Sequence, residues 1–385
     1  MLRPKVWIFA AIGGALTGLI SYAFLESLDW ATRTRLSHGW LVWFLPLGGL
    51  AVGAAYHYWG GRAKGGTPLV VEQAHIFTHG VPARMAPLIF GGAVAGHVVG
   101  ASVGREGAAL QMAGSLHDTA ARAGKLQPDE RRAIVAASLA GGWGAVFAVP
   151  ITGVVFALQM SRSHRWKALI PAIISAFTGK WTVDALGYHF ADRPRLGRSD
   201  WTFALPFKLA LFGLAIGLIG RCFVGGLKFV RRRMAHHVHW PPLRPVIGGA
   251  ATIGLLLLFG RDYLGLSNDL YSQSIAGVHM DWYVPLLKML FTITALGTGF
   301  VGGEVLPLFV MGATAGAVAG PALNTQGTLL AATGAPAAFA GAATTMVTGI
   351  VLTVEQFGWR TLIPALIVGV FAKLAAGRPG LYVAH

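Results

Sequence analysis

Gly104-Arg105-Glu106-Gly107-Ala108 sets a carboxylate between glycines, and the residues that follow, Ala109 to Ala121, read as a helix. The run before it is apolar, so Glu106 falls at a helix N-terminus inside a hydrophobic stretch. Unpaired backbone N–H groups and the positive end of the helix dipole attract an anion there. The flanking glycines let the backbone come close to an ion. A carboxylate so placed can occupy the anion position itself and leave it when protonated. A helix-start acid held only by the dipole is the plainer alternative. The same construction returns at Gly302-Gly303-Glu304-Val305-Leu306-Pro307, with a proline in the first turn, where no N–H is missed.

The two stretches belong to an internal repeat. Pro87 precedes Glu106 by 19 residues, and Pro285 precedes Glu304 by 19. Leu110 and Gly114 follow the first acid as Leu308 and Gly312 follow the second, and Thr152-Gly153 answers Thr348-Gly349. The offset is 198 residues at the acids and 196 at the Thr-Gly pairs. Matches at nearly one offset, in an apolar chain, make membrane transport the default class. The expected organisation is one membrane domain over 1–385, with repeat halves at about 40–190 and 202–376 and a C-terminal pore segment at 377–385.

Composition agrees with that class. The chain has 385 residues, 54% hydrophobic and only 12% charged, where a soluble domain carries about a quarter charged. Mean hydropathy is +0.59. At roughly 20 residues per membrane helix there is room for about ten to fourteen of them. The net charge is +16, from 31 Lys+Arg against 15 Asp+Glu. In a soluble protein that excess would suggest nucleic acid; here the basic residues sit mostly between apolar runs, so membrane orientation explains them and no nucleic-acid partner is expected. Cys222 is the only cysteine, which excludes an internal disulfide and a cysteine metal cage. The run from Val6 to Leu25 is too long for a signal-peptide core and reads as a first membrane helix. No hydrophilic regulatory domain is expected after the last span.

Many of the apolar segments are interrupted. Gly141-Gly142 and Pro150 lie inside 133–158, and Gly302-Gly303 and Pro307 flank the junction of two others. Breaks at membrane depth are tolerated only where they line a cavity or pack on protein. Basic loops at 122–132, 162–167 (Arg162, Arg165, Lys167) and 231–239 (Arg231 to Arg233) share the cytoplasmic side if 133–158 is a bent, re-entrant pair. Loop 188–200 then falls outside despite Arg193, Arg195 and Arg198, an inconsistency partly relieved by Asp192 and Asp200. A third glycine break, Lys64-Gly65-Gly66-Thr67-Pro68-Leu69, offers N–H groups and the Thr67 hydroxyl as anion donors; an ordinary turn and cap is its plain reading.

Taken together, these residues resemble the CLC family of anion channels and anion/proton antiporters. The resemblance rests on Gly104–Gly107 (the GREG motif), Gly302–Pro307 and Phe147-Ala148-Val149-Pro150-Ile151-Thr152-Gly153, which is similar to the family's FNAPLAG. The terminal Gly377-Arg378-Pro379-Gly380-Leu381-Tyr382 is similar to the end that places the family's central tyrosine. The resemblance implies an all-α membrane protein with two inverted repeats and broken helices around a central anion site, and a homodimer with one pore per subunit. It implies Glu106 as the external gating glutamate and Tyr382 as the inner coordinating phenol. Gly66, Thr67, Arg105, Gly107, Val305 and Leu306 would line the anion, with backbone N–H groups near Arg105, Gly107, Glu304 and Val305 turned toward it.

Three departures narrow the comparison. The serine of the chloride members' GSGIP stretch is missing, with Thr67 adjacent. Glu304 stands where an apolar residue is usual, and the internal proton glutamate of the chloride exchangers falls near Gln159 or Met160. All three resemble the fluoride-exporting subgroup, although that subgroup tends to have Thr where Leu306 stands. Fluoride is small, strongly hydrated and a good acceptor, and a protonated carboxylic acid is a donor. Two glutamates in one pore therefore bind fluoride when protonated and repel it when ionised.

Other candidates carry less. Gly297-Thr298-Gly299-Phe300-Val301-Gly302 spells a dinucleotide fingerprint outside its strand–helix context. His236, His237 and His239 beside Arg231–Arg233 read as a solvated basic turn. Glu72 and Glu355 read as packed acids paired to backbone or arginine, with a proton-path role as the alternative. The expectation is a multi-pass protein of the inner membrane, moving fluoride, or chloride, against protons. Glu106 is the gate and proton carrier, and Glu304 sets selectivity or shuttles a proton. No metal or cofactor is expected. A chloride exchanger or passive channel on the same scaffold, and more remotely a membrane enzyme using the two glutamates, are the alternatives.

Overall fold

A computed structural model describes residues 3–161, 165–190, 194–197, 201–378 and 380–382. Arg162, Asp192, Arg193, Arg198, Asp200 and Pro379, and the end of the segment 377–385, lie outside the described residues.

Sixteen α-helices are found among the described residues. The first eight are α1 (Pro4–Ser37), α2 (Leu45–Trp59), α3 (Gly66–His75), α4 (Met85–Val99), α5 (Glu106–Ala123), α6 (Pro128–Phe147), α7 (Pro150–Ser161) and α8 (Arg165–Ala185). The second eight are α9 (Leu205–His237), α10 (Leu243–Phe259), α11 (Asn268–Ile275), α12 (Val284–Thr298), α13 (Val305–Ala322), α14 (Gly327–Ala343), α15 (Met346–Phe357) and α16 (Leu362–Ala376). Their lengths run in the same order: 34 residues in α1 and 33 in α9, 18 in both α5 and α13, 12 in both α7 and α15.

Five stretches among the described residues are long and apolar enough to cross a membrane: Pro4–Ser37, Gly39–Trp59, Leu205–His237, Val305–Ala322 and Trp359–Ala376. Most of the others are shorter than a span. Chain length alone misses this, because a helix that ends on protein leaves its last carbonyls to neighbours rather than to lipid.

The break expected at Gly141-Gly142 is absent, since α6 runs unbroken to Phe147. These glycines serve packing instead: a Cβ on Gly141 would sit 2.4 Å from Ser175 Oγ. The break comes instead at the expected Pro150, which opens α7: Ala148, with a φ of +55°, ends α6, mirrored at Thr344, φ +59°, which ends α14. Both lie 196 residues apart, the offset of the Thr-Gly pairs. The basic turn expected at 231–239 is also corrected. Helix α9 continues through Arg231–Arg233 to His237, because no glycine or proline intervenes to stop it. In the same way α1 runs past Glu26 and Asp29 to Ser37.

The centre of the molecule is apolar and aromatic. Trp143, Phe147, Phe156, Phe309, Phe339 and Tyr382 form a chain of ring contacts with centroids 5.0–6.4 Å apart. These rings come from both halves and from the C-terminal segment, and close the space next to the starts of α5 and α13.

Candidate functional site

The two glycine-flanked acids meet. Gly104 N–H donates to Gly303 O and Gly303 N–H donates to Gly104 O, both at 2.7 Å, an isolated antiparallel bridge just ahead of α5 and α13. Glycine is required for this approach. A Cβ on Gly303 would lie 2.4 Å from Gly107 N, and one on Gly104 would lie 2.7 Å from Pro307 Cδ.

Glu106 opens α5 and is 2% exposed. Its Oε2 accepts from the amide of Leu306 at 3.1 Å and from that of Arg105 at 3.2 Å. The Arg105 Nε donates to Oε1 at 3.3 Å. The carboxylate of the first repeat thus rests on an amide in the first turn of α13, the kind of donor a helix start presents to an anion. Two of the expected residues, Arg105 and Leu306, touch it directly.

Glu304 stands at the N-cap position of α13, makes no side-chain capping bond there and is also buried. A Cβ built on Gly107 would lie 3.2 Å from Glu304 Oε2 and 3.3 Å from Thr67 Oγ1, so the second carboxylate and the threonine converge beside Gly107. Glu304 Oε2 has no hydrogen-bond partner among the described residues, and neither has the Tyr382 hydroxyl. Tyr382 is 3% exposed and stands within electrostatic reach of both glutamates, its ring wedged against Phe156 and Phe339. Val305 opens α13 and is fully buried. Gly66 turns into α3 with a φ of +58°.

The Thr67 hydroxyl does not match its expected role as a donor to the anion. It donates to Gly107 O at 3.2 Å and accepts from Gln111 Nε2 at 3.3 Å. Gly107 O can only accept, so the single hydroxyl proton is taken. Glu72, expected to be packed, is exposed, whereas Glu355 is bonded to backbone.

Two cavities approach these residues from different elements. One, of about 560 Å³, is lined by Gly66, Thr67, Gln111, Arg231 and Glu304, with Lys64 and Arg244 at its wall. The other, of about 720 Å³, is lined by Asp29, Arg105, Tyr188, Leu306 and Phe309. Beside the second cavity Tyr188 donates to Asp29 Oδ2 at 3.0 Å and meets Arg105, which holds Glu106.

Sequence reasoning passed over Gln111 and Lys288. Gln111 lies four residues after Gly107, hence on the same face of α5. Lys288 is wholly buried in α12 and donates to Ser102 Oγ (3.0 Å), Gly265 O (2.9 Å), Ser267 Oγ (2.9 Å) and Tyr263 O (3.3 Å). It fastens Ser102, two residues before Gly104, to the 263–267 turn. A lone lysine inside an apolar run was the signal for it.

The family profile described as "Voltage gated chloride channel" matches residues 48–377. The "Chloride/fluoride channel protein" of Pseudomonas syringae pv. tomato (strain ATCC BAA-871 / DC3000) is 34% identical over 401 residues, covering 100% of this chain and 87% of that protein. The "H(+)/Cl(-) exchange transporter ClcA" of Yersinia pestis bv. Antiqua (strain Angola) is 27% identical over 405 residues, covering 96% of this chain and 84% of that one. Among solved structures, a CLC-type fluoride/proton antiporter superposes with a TM-score of 0.94 at 29% identity, covering 98% of this chain and 96% of that one. A slow cyanobacterial Cl−/H+ antiporter shares the fold, with a TM-score of 0.79 at 20% identity, over 98% of this chain and 95% of that one. The chain belongs to the voltage-gated chloride channel (CLC) family and is an all-α, multi-pass integral membrane protein. By their names these relatives are channels and exchangers, which removes the membrane-enzyme reading.

Proposed function

We propose that this protein exports fluoride in exchange for protons, with Glu106 as the moving gate and proton carrier. The observation that supports this most is the Glu106 carboxylate resting on the Leu306 amide. An acid that takes an anion's place at a helix start is displaced by the anion once it is protonated, so one side chain links both fluxes. Two cavities, one touching Glu304 and the other Arg105, give the site two approaches. Glu304 tunes selectivity: when protonated, its unpartnered Oε2 donates to fluoride more strongly than to the larger, softer chloride. Backbone amides of Gly107, Val305 and Leu306 and the Tyr382 phenol complete the shell. The names of the Pseudomonas relative and of the superposing fluoride/proton antiporter support fluoride as cargo.

The working form is a homodimer in the inner membrane, embedded in lipid, with one pore per subunit. The first repeat begins at α1, earlier than residue 40, because α1 and α9 match in length and order.

Proteoliposomes loaded with fluoride and followed with fluoride and pH electrodes test the exchange. Fluoride efflux coupled to proton uptake is expected; efflux without it overturns exchange. Chloride exchange or passive conduction is the second reading: the 27%-identical H(+)/Cl(−) exchange transporter favours exchange, and the missing internal glutamate, whose place falls near Gln159 or Met160, is compatible with a channel. Relative fluoride and chloride fluxes from the same vesicles decide it.

A further inference from the structure

The anion on its way through the 560 Å³ cavity needs side-chain donors as well as backbone ones, and Thr67 does not supply one. Its proton goes to Gly107 O, so its oxygen can only accept. That fixes the neighbouring amide: Gln111 must turn Nε2 toward Thr67, to which it donates at 3.3 Å. Nε2 carries two N–H groups, and one bond uses one of them. Gln111 is 5% exposed, lines the cavity and makes no other hydrogen bond among the described residues. The remaining N–H therefore stands in the wall of the cavity that Thr67 and Glu304 also line.

We infer that Gln111 is a specificity-determining residue, whose free amide N–H binds the transported anion in the 560 Å³ cavity while Thr67 serves only to orient it. This rests on the reading of the protein as a fluoride transporter and names a donor within that site. An N–H in the cavity wall with no protein partner can donate to an ion that enters, and a strongly accepting ion gains most from it. Fluoride accepts hydrogen bonds better than chloride, so the donor favours fluoride. The side chain carries no proton in exchange, so it sets affinity and selectivity and leaves the ratio of protons to anions alone.

The test uses full-length protein in vesicles and two variants of similar size, Gln111→Met, which lacks any donor, and Gln111→Glu, which is isosteric and replaces the NH2 with oxygen. Thr67→Val is the third. Gln111→Met is expected to raise the fluoride KM about tenfold, the effect of one lost hydrogen bond to an ion, and to narrow the fluoride-to-chloride flux ratio. The proton-to-fluoride ratio stays that of the wild type. Gln111→Glu is expected to raise KM at least as far, and Thr67→Val by less than Gln111→Met. Wild-type KM in both Gln111 variants, or a larger loss in Thr67→Val than in Gln111→Met, overturns the role of Gln111. If Gln111→Met does not fold, the isosteric glutamate variant decides alone. Wild-type vesicles that move no fluoride overturn the transport reading, and this role with it. Wild-type flux with unshifted variants overturns this role only.

Discussion

Gln159 and Glu355, 196 residues apart, each hold the start of the other's helix. Gln159 Oε1, late in α7, accepts from the amide and hydroxyl of Thr348 near the start of α15. Glu355, late in α15, accepts from the amides of Ile151 (3.0 Å) and Thr152 (2.7 Å) and from the Thr152 hydroxyl (2.6 Å) at the start of α7. The repeat therefore extends to reciprocal capping of two antiparallel helices. It gives Gln159 and Glu355 a task other than carrying protons.

Removing either cap strips a helix start of acceptors for its unpaired amides. Glu355→Ala is expected to lower stability by about 1–2 kcal/mol, seen as a lower thermal midpoint of the purified protein in detergent, while Glu355→Gln loses less. A midpoint unchanged in Glu355→Ala would show that the cap contributes nothing.

Glu106→Gln keeps an oxygen for the Leu306 amide but cannot take up a proton. Proton movement is expected to fall to the level of empty vesicles, with anion movement uncoupled from it. The two-electrode vesicle assay reads both. Coupling that persists in this variant would reject Glu106 as the carrier.

Gly303→Ala drives a methyl group into Gly107 N, an atom of the backbone that cannot turn aside. A loss of at least about 1–3 kcal/mol is expected from overpacking, with loss of flux in whatever protein folds. Gly254, in α10, faces open space, and Gly254→Ala should be neutral or stabilising by up to about 1 kcal/mol. Melting the two variants side by side checks the contrast.

Lys288→Met fills the volume but leaves Ser102, Ser267 and the carbonyls of Tyr263 and Gly265 without their donor. A drop of about 1–3 kcal/mol follows from the unsatisfied acceptors. Lys288→Arg, which keeps charge and donors, is expected to recover part of it. Equal thermal midpoints for Lys288→Met and wild type would contradict this.

The parts legible in the sequence were those where chemistry conflicts with its surroundings. Glu106 and Glu304 were visible because an acid between glycines in an apolar run has few reasons to exist. Their offset exposed the repeat. Gln111 was hidden because a single polar amide in a helix does not reveal from sequence whether it faces a cavity or packs against a neighbouring helix. The bridge between Gly104 and Gly303 was hidden because convergence is a property of two distant segments. Gly141-Gly142 misled, since glycine in a buried helix permits close packing as readily as it breaks one, and only the neighbouring Ser175 tells which. Thr67 misled because a hydroxyl's single proton can be claimed by a backbone carbonyl from another helix.

The Gly104–Gly303 bridge has a consequence for direction. It clamps two equivalent helix starts into one frame, so their backbones cannot part independently. The residues hung on that frame are not equivalent: at the offset of 198, Gly107 answers Val305, and Arg105 answers Gly303. A near-symmetric skeleton thus carries handed chemistry. One cavity meets Arg105 and Tyr188; the other meets the unpartnered Glu304 oxygen and Gln111 together with Lys64, Arg231 and Arg244. Such a machine has a front and a back built into its side chains alone, so turning it around in the membrane would not give the same device.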